Sequence, residues 1–147
     1  MGGFRECQVR TMDEWARICV GEGGMNEIIP RLCLGDWMAA RDSHSDFHVV
    51  TVAVDSPFIG DEHFKLVDGP GNSRLEFDKA VCSVAEAYNQ GKSVLVHCVA
   101  GQSRSAAVVV SALMALQDLD WCQAYNLVIK QKPNVRIHPA FAEFLRT

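Results

Sequence analysis

Val94-Leu95-Val96-His97-Cys98-Val99-Ala100-Gly101-Gln102-Ser103-Arg104-Ser105 is the stretch on which both fold and chemistry turn. Ser93 to His97 is short, β-branched and apolar, the pattern of a buried strand, and Gly91 marks the turn that enters it. From about Ser103 the sequence predicts a helix, because Ala106, Ala107, Val108, Val109, Val110, Leu113, Met114 and Leu116 form an apolar surface with no breaker. The segment between them is a loop that closes on itself. Cys98, Gly101 and Arg104 span seven positions, a length over which successive backbone N–H groups can converge on one anion, with Gly101 supplying a backbone angle that a side chain would forbid. The helix N-terminus points into this loop, so its partial positive charge and free N–H groups favour a thiolate at Cys98 and an oxyanion beside it. Arg104 adds a planar fork of donors that matches two phosphate oxygens, which Lys does not offer. The competing reading, a packed strand-end cysteine and a solvated helix-start arginine, leaves unexplained why both flank a glycine.

Working outward, the chain has 147 residues, 48% apolar and 22% charged, the proportions of one globular domain with a core of its own. Its net charge of −4 argues against nucleic acid or an anionic membrane as the main partner, since both call for a basic face. Cysteines stand at 7, 19, 33, 82, 98 and 122 with no C-x-x-C pair, and no secretory leader is recognised ahead of them. Reduced thiols in a cytoplasmic or nuclear compartment are therefore expected, with Cys33, Cys82 and Cys122 as core residues. The longest apolar run, Ala106 to Leu116, is broken by Ser111 and is too short to cross a bilayer, so no stable membrane insertion is expected. Met1-Gly2-Gly3 has the form of an N-myristoylation start, but Glu6 stands where Ser or Thr is wanted.

Along the chain, Cys7 to Arg10 suits a short edge strand. Thr11-Met12-Asp13-Glu14 has the capping-box pattern and would start a helix carrying Trp15, Ile18 and Cys19. Residues 1–27 are thus expected to be an extension packed on a domain of residues 28–147. A strand is predicted from after Pro30 to Gly35, then a helix from Trp37 to Arg41 with Asp36 as its N-cap. His48 to Val54 and Phe64 to Val67 read as further strands. His44 and His48 stand four apart, but on a loop running into a strand, so they read as surface histidines rather than metal ligands. Asp68 to Asn72 is too rich in Gly and Pro to be anything but a loop. Ser73 to Glu76 is a second capping box, opening a helix with Phe77, Val81, Val84, Ala85 and Tyr88 at helical spacing. Asp120 caps another helix, and a last one is expected over 138–145 with Pro139 in its first turn. The order of elements predicts an α/β fold, a central, mostly parallel sheet covered by helices on both sides.

The set His97-Cys98, five residues, Arg104-Ser105 resembles the signature of the cysteine-based protein phosphatases, and HCVAGQSRS followed by an apolar helix is similar to the dual-specificity branch. IIPRLCLGDWMAA, residues 28–40, resembles the start of that branch's catalytic domain. The likeness runs from about Ile28 to Leu145. It implies a phosphoprotein substrate, phosphotyrosine and also phosphoserine or phosphothreonine, cleaved through a phosphocysteine at Cys98, with no metal and no cofactor. It implies that Arg104 and the backbone of Val99, Ala100, Gly101, Gln102 and Ser103 bind the phosphate, that Ser105 assists the leaving thiolate, and that His97 supports the loop from behind. An alkoxide leaves poorly without a proton, so a general acid is required. In the family this is an Asp on a loop about thirty residues before the nucleophile, the place that Asp68 holds here; Asp55, Asp61 and Asp78 do not hold it. Its bland alternative is a turn-forming Asp before Gly. Relatives that take highly phosphorylated lipids often carry Lys in the loop; Val99, Ala100, Gln102 and Ser103 are uncharged, which favours a single phosphate on protein. The family's usual Pro-Asn pair before the last helix is Pro139-Ala140 here. Two other classes stay open at this stage, a phosphoprotein-binding module without turnover and a redox or sulfur-transfer thiol enzyme. The oligomeric state is left open.

Overall fold

Period-two alternation sorts the central strands onto two faces. The computed structural model describes residues 24–145, so the strand and capped helix expected before residue 20 lie outside the described residues. Within them, β1 (Met25–Ile29), β2 (Leu32–Gly35), β3 (His48–Thr51), β4 (Glu62–His63) and β5 (Val94–His97) form one sheet in the order β1-β2-β5-β3-β4. Only the β1–β2 pair is antiparallel, in keeping with the mostly parallel sheet expected. Leu32, Leu34, Val50, Val94 and Val96 point to the larger core, whereas Cys33, Val49 and Leu95 point to the opposite face.

Helices cover both faces. On the smaller side Ala40 of α1 (Trp37–Ser43) packs on Cys33, Val49 and Leu95, flanked by Phe47 and Phe58. The larger side holds α2 (Arg74–Asn89), α3 (Arg104–Gln117), α4 (Trp121–Gln131), a 3₁₀ turn (Pro139–Phe141) and α5 (Ala142–Leu145). α3 is central: its residues Arg104 to Val110, Ala112 and Leu113 are all buried. That is why its sequence reads as a nearly continuous apolar run rather than a one-sided stripe. No single described helix is long and apolar enough to cross a membrane.

Local expectations fare unevenly. Asp36 caps α1 by accepting from the Ala39 N–H at 2.8 Å, and at Asp120 both bonds of a capping box with Gln123 form. At Ser73 only half of the box forms. The hydroxyl accepts from the Glu76 N–H at 2.9 Å, but the Glu76 carboxylate accepts from the Lys65 N–H at 3.1 Å and so ties the preceding loop to α2. β1 adds a strand that the sequence does not predict. It joins β2 through Pro30 and Arg31, the latter at φ 71°, and the Arg31 guanidinium donates to the Tyr88 and Lys92 carbonyls while lying 4.1 Å from the Tyr88 ring centre. β3 ends at Thr51 rather than Val54; at its end the Thr51 hydroxyl accepts from the Gly60 N–H at 2.8 Å, and the Val54 N–H donates to the Leu66 carbonyl outside the sheet. The next strand falls at Glu62–His63, two residues before the predicted Phe64. Cys82 is exposed rather than in the core, Cys33, Cys82 and Cys98 carry free thiols, and Cys122 is disulfide-bonded, against the expectation of reduced cysteines throughout.

Candidate active site

The loop from Cys98 to Ser103 leaves the end of β5 and enters α3, as the sequence predicts. Gly101 has φ 72°, and a Cβ there would lie 2.6 Å from the Gly35 carbonyl oxygen. It is therefore glycine for two reasons, conformation and close approach. Two backbone bonds hold the loop from outside: the Trp37 N–H donates to the Val99 carbonyl at 3.2 Å and the Arg136 N–H to the Gln102 carbonyl at 2.7 Å. Above it is a cavity of about 240 Å³ whose lining includes Cys98, Val99, Ala100, Gln102, Ser103 and Arg104 from the loop, with Asp68 and Arg136 at its side. Cys98 is only 2% exposed, and its Sγ lies 3.1 Å from the Ser105 Oγ. A hydroxyl at that distance can donate to a thiolate.

His97 sits next to Cys98 with no exposed surface. Its Nδ1 is 2.9 Å from the Cys98 carbonyl, which only accepts, so Nδ1 carries the proton. Its Nε2 then accepts from the Thr51 hydroxyl at 2.7 Å, the same hydroxyl that accepts from Gly60. Burial lowers the His97 pKa, against the bond to Cys98 that raises it. A neutral, fully partnered imidazole aimed at a carbonyl positions the loop and is not a base for Cys98.

Arg104 is buried, 7% exposed, and it is fixed by contacts far away in the sequence. Its Nη1 donates to Asp55 Oδ1 at 2.5 Å and to the Leu66 carbonyl at 3.2 Å. With Nη1 engaged by both, the Nε–Nη2 edge of the fork is the one left for two phosphate oxygens. The guanidinium in turn holds the Asp55 carboxyl below its usual range, chiefly by that hydrogen bond.

Asp68 lines the cavity, and its Oδ1 accepts from the Ser103 hydroxyl at 2.5 Å. Its loop is closed by Asn72, whose Oδ1 accepts from the Val67 N–H and whose Nδ2 donates to the Val67 and Gly69 carbonyls. The other carboxylates weighed in the sequence are employed elsewhere: Asp61 accepts from the Val49 N–H, and Asp78 pairs with Arg74 on α2. His48 bonds Glu62 at 2.6 Å and His44 meets the Phe58 ring edge-on, so the two are not turned to a shared ligand. Sequence reasoning missed Asp55, Thr51, Asn72 and Arg136. The first, second and last act across folds of the chain that leave no local spacing, whereas Asn72, inside a Gly/Pro loop, could have been read as a loop-closing side chain.

Comparison with known proteins agrees with this geometry. The family model described as the dual specificity phosphatase catalytic domain matches residues 42–147. Dual specificity protein phosphatase 19 of Mus musculus is 34% identical over 82% of this chain, which spans 60% of that relative's length. Dual specificity protein phosphatase 1B of Arabidopsis thaliana is 31% identical over 85% of this chain and 83% of its own. A mouse putative dual specificity phosphatase, solved complexed with zinc tungstate, superposes with a TM-score of 0.74 at 23% identity, covering 85% of this chain and 86% of that one. Human DUSP28 gives a TM-score of 0.71 at 21% identity over 85% and 92%; at such identities these two speak for the fold. The matched family, the identity to its curated members and the cysteine–arginine loop over a mostly parallel sheet have one meaning: this chain belongs to the dual-specificity protein phosphatases and carries their catalytic domain.

Proposed function

We propose that the protein hydrolyses phosphotyrosine and phosphoserine or phosphothreonine on protein substrates through a phosphocysteine at Cys98. The observation that carries this reading is the convergence on one cavity of the Cys98 thiol, the free edge of Arg104 and the Asp68 carboxyl. In the first step the Cys98 thiolate attacks phosphorus in line. The S–P bond forms as the P–O bond breaks, and the departing oxygen takes the electron pair and a proton from Asp68. Arg104, through Nε and Nη2, and the loop N–H groups of Val99 to Ser103 hold the non-bridging oxygens and the charge that spreads over them. In the second step Asp68, now ionised, takes a proton from water as that water attacks phosphorus. Cys98 leaves as a thiolate that accepts a hydrogen bond from Ser105, 3.1 Å away. His97, with both nitrogens engaged, fixes the Cys98 carbonyl and hence the loop.

The test is turnover of a small aryl phosphate by the purified protein. Activity in the parent that is abolished in Cys98→Ser, with phosphate covalently trapped on the parent after acid quench, is the expected result. An inactive parent would overturn the enzyme reading in favour of binding without turnover.

A further inference from the structure

α3 begins with a serine that does not cap it. Ser103 occupies the N-cap position, where a Ser hydroxyl ordinarily accepts from an N–H two or three residues on, yet its side chain makes no such bond. Its Oγ instead accepts from the His138 N–H at 2.9 Å and reaches Asp68 Oδ1 at 2.5 Å. A backbone N–H can only donate, so it occupies a lone pair of Oγ and turns the hydroxyl proton toward the carboxylate. The chain of bonds has one direction, from the backbone of the C-terminal segment through Ser103 to one oxygen of Asp68. Ser103 itself is 8% exposed, so little water competes for it.

From this we infer that Ser103 is a positioning residue for proton transfer. Its hydroxyl engages Oδ1 of Asp68 and thereby leaves Oδ2 as the oxygen that carries the proton to the leaving group. The loop that binds phosphate and the loop that supplies the acid are thus in register through one side chain, and the segment before α5 takes part through the His138 backbone. Helix capping at Ser103 is given up for this bond. The inference rests on the reading of Asp68 as the acid, and it concerns the leaving-group step alone.

The experiment is a series of phosphate monoesters graded from good aryl to poor alkyl leaving groups, turned over by the parent, Ser103→Ala, Ser103→Thr, Asp68→Asn and the Ser103→Ala/Asp68→Asn pair. A general acid supplies roughly 10²–10⁴ in rate where the leaving group needs it, so Ser103→Ala is expected to lose about tenfold more on the alkyl than on the aryl esters. Ser103→Thr, which keeps a hydroxyl, should restore the parent's dependence on leaving group. In the Asp68→Asn background the further loss from Ser103→Ala should no longer vary along the series. A loss in Ser103→Ala that is equal across the series, while Asp68→Asn shows a graded one, overturns the inference and leaves the acid intact. An ungraded Asp68→Asn overturns the acid assignment and the inference with it.

Discussion

Asp55 and Arg104 form an ion pair at 2.5 Å in which a carboxylate that is 62% exposed secures a guanidinium that is almost fully buried. The asymmetry matters. A surface pair is worth little when both partners can be solvated, but here the arginine is committed to one orientation, and its Nε–Nη2 edge is the one the proposed phosphate contact would use. Asp55→Ala is expected to lower kcat/KM on a small aryl phosphate by about tenfold, from roughly one charge-assisted hydrogen bond's worth of orientation, with Asp55→Asn intermediate. Steady-state kinetics on the three proteins decides it. Unchanged constants in Asp55→Ala would mean that Leu66 alone orients the fork.

Gly101 separates conformation from space. Its φ of 72° is left-handed, and a Cβ would press on Gly35 O at 2.6 Å. Gly91 shares a positive φ, 87°, with nothing within 4 Å. Gly91→Ala should therefore cost only the backbone strain, about 1–2 kcal/mol, and keep activity. Gly101→Ala adds the overpacking of a fixed backbone, about 1–3 kcal/mol more, and should distort the phosphate loop so that activity falls even where the protein remains folded. Urea midpoints and turnover for both variants test this; equal destabilisation would contradict the close approach to Gly35.

His97 makes stability depend on pH. Its folded pKa lies below the ordinary 6.5 because of burial, so below about pH 6.5 the unfolded chain takes up a proton that the folded chain refuses. The stability is whole above that pH and is lost as pH falls from there toward the folded pKa, at no more than about 1.4 kcal/mol per pH unit. Asp55 and Glu62, whose pKa values are also lowered, lose their contribution only from about pH 4 downward, in a separate window. Urea unfolding between pH 7.5 and 5 should show the slope in the parent and a shallower one in His97→Asn. Parallel curves would mean that His97 takes up its proton equally in the folded and unfolded states.

What could be read from the sequence was whatever is encoded locally. Cys98, Gly101, Arg104 and Ser105 lie on one turn and the start of one helix, so their spacing already states their geometry. The caps at Asp36 and Asp120 are likewise three-residue relations. β1 escaped because Met25 to Ile29 alternates poorly and is fixed by Arg31 reaching Tyr88 and Lys92, some sixty positions on. The strand after β3 begins two residues before the predicted Phe64, because its register is set by backbone bonds to β3, from the Asp61 N–H to the Val49 carbonyl and from the Phe64 N–H to the Thr51 carbonyl, and not by its own composition. Asp55 lies outside the spacing expected of the acid, and its bond to Arg104 joins positions 49 apart, a relation that no local pattern states. Ser103 was legible as a loop residue and a helix start; only the fold shows that its hydroxyl faces Asp68.

Asn72 offers the last test, because it holds the loop of Asp68, the proposed acid, without lining the cavity. Its amide closes the turn around Asp68 with three bonds to the backbone of Val67 and Gly69, and those groups would otherwise be satisfied only by water. Asn72→Ala removes all three, each worth about 0.5–1.5 kcal/mol net, from a loop whose neighbouring Gly69, Pro70 and Gly71 cannot replace them. The loop should open more often, so that Asp68 stands over the phosphate for a smaller fraction of the time. Turnover of alkyl phosphates is then expected to fall about five- to tenfold, with a smaller loss on good aryl leaving groups. Protease cleavage within residues 67–73 should accelerate in the absence of phosphate. A loss of the same size on every ester, with cleavage unchanged, would place the importance of Asn72 in the fold and not in the delivery of the acid.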